Sequence, residues 1–172
     1  MAMTTVDAGL LIARIVFGLL IAAHGARKLL GWFGGPGLTA AAGMFDSLGF
    51  RPGRFFALAA AGSEITSGIL VATGLFGPVG PAVMLSVMVV AALSVHMPNG
   101  LFNSSNGIEL PLLYATAAAA LTLTGPGRYS LDALLGLTPV WSGGLAWTAL
   151  AFGVAAGLAN LALRRPRVAA SV

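Results

Sequence analysis

Long apolar runs broken by short polar stretches dominate this chain. A spanning helix needs about 20 mostly apolar residues, and five runs approach that length: 8–30, about 54–76, 79–97, 108–124 and 143–163. The fourth is short and carries Pro111 in its first turn, where a missing N–H is tolerated. The pattern predicts five membrane helices. The rival is four, with the last segment lying flat. The first run does not resemble a cleaved signal peptide, because no Lys or Arg precedes it and Arg14 interrupts it. Between the first two runs, Leu38, Ala41, Phe45 and Leu48 recur on one helical face. They predict a short interfacial helix started by Thr39, with Trp32 and Phe33 at the membrane boundary.

Composition strengthens this picture. Of 172 residues, 58% are hydrophobic and 8% charged, with mean hydropathy +0.93. A soluble domain carries about 25% charged residues. The expected architecture is therefore an all-α integral membrane protein forming one transmembrane domain over 1–172. The 24 glycines suit close helix packing. There is no Cys, which excludes a thiol relay or Cys-ligated iron–sulfur chemistry.

The net charge of +4 sits at helix ends, which fits membrane topology rather than nucleic acid. With five spans, one side carries Arg27, Lys28, Arg51, Arg54, Arg164, Arg165 and Arg167, and the other Arg128. The positive-inside bias puts the first side, and the C-terminus, in the cytoplasm.

Charged groups at membrane depth cost about 2.5–3.5 kcal/mol each on insertion scales and tend to face the protein interior. Arg14 lies inside the first run, and an ion pair with Asp132 would satisfy both; Glu64 is the competing partner. Glu64 itself sits mid-span in GSEITSG. His24, Arg27 and Lys28 end the first run, His96 ends the third and Glu109 begins the fourth, with Asn106 in the tract between. All reach one mouth of the bundle. Together they make a candidate ligand pocket. Arg14, Gly18, Ile21, Gly25 and Lys28 share one face of the first helix; Glu109, Thr116 and Ala120 are expected to line the bundle on the fourth.

No tight HxxxH or ExxH spacing supports a metal site, and there is no nucleotide motif. Both His lie at helix ends, which disfavours haem ligation. Gly153 and Gly157 form a GxxxG that would pack the fifth helix on the bundle or, alternatively, make a homo-oligomer.

Three blocks then carry a resemblance: LIARIVFGLLIAAHGARKLLGWFG, AGSEITSGILVATGLFGPVG and NGIELPLLYATAAAALTLTGPGRYSLDALL. Together they resemble the DoxX family of small bacterial membrane proteins, over about residues 8–135. The resemblance implies a four-helix bundle in the bacterial cytoplasmic membrane, with the helix and basic tail of 143–172 outside that core. It also implies a link to redox processes. Relatives include a subunit of thiosulfate:quinone oxidoreductase, a membrane partner in oxidant and thiol detoxification, and proteins tied to quinone resistance. The family-like polar positions are Arg14, His24, Lys28, Glu64, His96, Glu109, Tyr114, Ser130 and Asp132, and the resemblance adds Tyr114 to the candidate ligand pocket.

Two readings follow. In one, the bundle binds a quinone-like or small anionic ligand, as a redox-associated protein or a subunit of an oxidoreductase. In the other, it is a non-enzymatic scaffold that anchors soluble redox or detoxification partners through Arg51, Arg54, Arg164, Arg165 and Arg167.

Overall fold

In hydrocarbon a backbone N–H or C=O has no water to bond, so each apolar run closes its hydrogen bonds within a helix. The computed structural model describes residues 4–165. Helix α1 (Thr5–Leu30) opens on a capping box between Thr4 and Asp7 and ends at left-handed Gly31. An interfacial α2 (Gly37–Ser47) follows, then α3 (Gly53–Thr73). Helix α4 (Val79–Ala91) runs on through a π turn (Ala92–His96) and a 3-10 turn (Met97–Asn99). Then come α5 (Glu109–Thr124), a single-turn α6 (Leu131–Leu134) and α7 (Gly143–Ala162).

Four helices are long and apolar enough to cross a membrane: α1, α3, α4 with its extension, and α7. The short one is α5. At 16 residues it is about 24 Å long, against a hydrocarbon core of about 30 Å. The last segment therefore has spanning length and packs along α4 and α5.

Helices α1 and α3 form the tightest contact, because small residues let the backbones meet. A Cβ on Gly68 would lie 2.5 Å from the Gly18 carbonyl oxygen, and one on Gly25 would lie 2.6 Å from that of Ala61. Arg14, Gly18, Ile21 and Gly25 are buried along that face of α1, as their spacing indicates. Ile21 joins Met84, Leu85, Met88, Tyr114 and Ala118 in the central core.

Helix α2 presents Ala41 and Phe45 to Phe50, Phe56 and Ala57, with Leu38 and Leu48 at the margin. The predicted face is correct but the predicted cap is not. The helix starts after Pro36, and Thr39 lies within it; proline's fixed φ and missing N–H suit a helix entry.

The GxxxG of α7 is used within the chain. A Cβ on Gly153 would lie 2.6 Å from the Ala82 oxygen, and one on Gly157 would lie 2.8 Å from the Val89 Cβ. Both glycines face α4, so this motif is not free to join a second copy.

One end of the bundle gathers the α1–α3 connection, the α4–α5 loop and the end of α7. The Arg165 N–H donates to the Gly49 carbonyl (2.9 Å), and Arg164 Nε donates to that of Leu48 (3.0 Å). Arg167 lies outside the described residues. At the opposite end, Asp132 accepts from the Phe76 and Gly77 amides at 2.9 and 2.6 Å.

Candidate functional site

The last two turns of α1 carry His24 toward Tyr114 of α5 and Lys28 toward α3, while Arg27 faces outward and is exposed. Lys28 Nζ donates to Glu64 Oε1 in an ion pair. The Glu64 side chain is 3% exposed and that of Lys28 25%. Ser67, a turn further along α3, donates its hydroxyl to the Glu64 backbone carbonyl. The second carboxylate oxygen of Glu64 is buried and has no hydrogen-bond partner among the described residues. An unpaired buried acceptor costs about 1–3 kcal/mol, more when charged, so this atom marks a place where a donor fits.

Tyr114 closes the site from α5. Its ring stands edge-on to Phe17 (5.7 Å) and to His24 (5.9 Å). Two contacts therefore join sequence-derived residues across helices: Lys28 with Glu64 between α1 and α3, and His24 with Tyr114 between α1 and α5.

His96, Asn106 and Glu109 sit at the same end but are occupied differently. His96 Nδ1 bonds the Asn106 carbonyl (2.8 Å), and Asn99 reaches the same carbonyl. Glu109 accepts from the Asn103 amide (2.7 Å). These groups brace the α4–α5 loop upon itself. They form no hydrogen bond to His24, Lys28 or Glu64 among the described residues.

The expected inner face of α5 is also corrected. Thr116 is exposed, as is Ala120, while Pro111, Tyr114, Ala118 and Leu121 are buried. That second set follows the same i, i+3, i+7, i+10 spacing and was readable from it. An alanine-rich helix offers several apolar faces, and the aromatic ring decides among them.

The Arg14–Asp132 pair is not made directly. Arg14, 2% exposed, donates from Nη2 to the Tyr129 carbonyl, while Asp132 is turned to the Phe76 and Gly77 amides. Geometry explains the choice: the guanidinium lies against Gly74, where a Cβ would collide with Nη1. A carboxylate aimed at two adjacent turn amides also secures two short hydrogen bonds at once. Tyr129 acts through its backbone, so no residue-type signal could single it out. The π turn at Ala92–His96 was likewise missed. Its signal is Pro98, whose missing N–H and ring disturb the hydrogen-bond ladder behind it.

Among the described residues no group of three or more His, Asp or Glu side chains gathers to hold a metal ion. What remains is a helical bundle that buries Arg14 and Glu64, the ionisable groups well inside its apolar spans, the mark of an integral membrane protein of the all-α class. A family model described as DoxX matches residues 9–97, just over half the chain, and the chain belongs to that family. No curated protein and no solved structure matches it.

Proposed function

We propose that this chain is a redox-associated membrane protein that receives the head group of a quinone-like ligand between α1, α3 and α5. The observation that carries the reading is the unpartnered Glu64 oxygen, buried beside the ion pair with Lys28. A neutral ligand suits the site better than an anion. The charge of Lys28 is already matched by Glu64, and Arg27 faces away. Glu64 would accept from a hydroxyl of the ligand, and the Tyr114 hydroxyl would donate to a carbonyl. His24, edge-on to that ring, would hold it in place. With no Cys in the chain, electrons would pass to a partner subunit rather than through a local dithiol. The basic end faces the cytoplasm in this reading, because the arginine asymmetry favours it.

The test is binding of a soluble short-chain quinone to the purified protein in detergent. Glu64→Gln and Tyr114→Phe should weaken it about tenfold each, the cost of one lost hydrogen bond in a dry site. Wild-type affinity in both variants would sink the assignment.

A further inference from the structure

The end of α7 lies more than a hundred residues from the α2–α3 corner in sequence, yet the fold joins them. Arg164 donates through Nε to the Leu48 carbonyl, and its guanidinium lies 5.6 Å above the centre of the Phe50 ring. The backbone of Arg165 is tied to Gly49. Arg51 and Arg54 follow directly on that corner, and all four arginines are exposed.

We propose that Arg51, Arg54, Arg164 and Arg165 form a binding site for the phosphate of an anionic phospholipid.

Charge complementarity is the first support. The acids at this end are Asp46 and Glu109, and both are committed to backbone amides: Asp46 to Gly53 (2.7 Å) and Glu109 to Asn103. They leave the four guanidiniums in excess. Preorganisation is the second. A basic loop must be ordered on binding, whereas Arg164 is already held by a hydrogen bond and a ring. The neighbouring surface decides between a lipid and a soluble acidic partner. Phe55 is 63% exposed, and Leu58, one turn along α3, is also open to the bilayer. Trp32 and Phe33 stand exposed nearby in the chain, at the end of α1. A charged crown directly above an apolar wall fits an amphiphile whose phosphate meets arginine and whose chain lies along α3.

The experiment compares phosphatidylglycerol with phosphatidylcholine of the same chains, added to the full-length protein in detergent. Retention is read by native mass spectrometry and thermal midpoint. Phosphatidylglycerol should be retained preferentially and raise the midpoint more. Each arginine changed to Gln should lower retention about fivefold, and Arg51→Gln with Arg54→Gln leaves the Arg164–Phe50 contact intact. Should these variants fail to fold, the wild type in 0.5 M salt serves instead, and there the preference should fall sharply. Equal retention of the two lipids, or indifference to both substitution and salt, overturns the proposal. So does stronger stabilisation by polyglutamate than by phosphatidylglycerol, which would make this the docking face of an acidic protein.

Discussion

Lys28, in the last turn of α1, reaches Glu64 in the middle of α3, and theirs is the one ion pair among the described residues. Gly25 packs against Ala61 and Ile65, on either side of Glu64, so α1 and α3 lie close together beside the pair. Removing one partner strands the other. Lys28→Met should cost about 3 kcal/mol, toward the lower end for a broken buried pair because Lys28 is partly exposed. Lys28→Met with Glu64→Met should recover most of that loss. Reversible unfolding in mixed detergent micelles would measure both. A double variant as weak as the single one would mean that the pair is not what Glu64 requires.

The α1–α3 crossing gives a paired test of close packing. Gly68→Ala places a methyl 2.5 Å from the Gly18 oxygen and 2.7 Å from the Ala22 Cβ. It should destabilise by about 1–3 kcal/mol as the helices part. Gly62→Ala, six residues earlier in the same helix, meets nothing within 4 Å. It should instead stabilise by up to about 1 kcal/mol through helix propensity. Thermal midpoints of the two variants moving in the same direction would contradict the packing described.

Asp132 clamps the α3–α4 turn. Asp132→Ala leaves the amides of Phe76 and Gly77 without an acceptor. A loss of about 2–4 kcal/mol is expected, from two unsatisfied donors. Limited proteolysis should then cut within residues 74–78 of the variant and spare that turn in the wild type. Asp132→Asn retains one acceptor oxygen and should lie between the two. Resistance equal to wild type in the Ala variant would show that the turn is held by other contacts.

Gly157→Val bears on the role of α7. The new side chain would meet Val89 and the Ser86 carbonyl, so the variant should lose about 1–3 kcal/mol of stability. Its mass by light scattering in detergent should equal that of the wild type, because the motif faces α4 within the same chain. A change of oligomeric state without loss of stability would return the motif to an interface between copies.

Much of this molecule is legible in the order of its residues. Five apolar runs set five helices to within a few residues, because hydrocarbon forces every backbone hydrogen bond inside its own segment. The inward face of α1 follows from Arg14, Gly18, Ile21 and Gly25, since burying a charge and three unbulky or apolar neighbours has one sensible direction. The apolar side of α2 and the gathering of arginines at one end follow from equally local rules. The partner of each buried charge does not. Whether Glu64 takes Arg14 or Lys28 depends on how far α1 is shifted along α3, and that shift is set by glycines that offer no side chain to read. Arg14 goes to the Tyr129 carbonyl because Gly74 leaves room beside it. The rotation of α5 is decided by where Tyr114 can lie against Phe17 and His24. The meeting of Arg164 with Phe50 joins two distant stretches of chain. Periodicity fixes which residues of a helix share a face. Only the packed bundle fixes the height and angle at which two faces meet, and hydrogen bonds between helices depend on those.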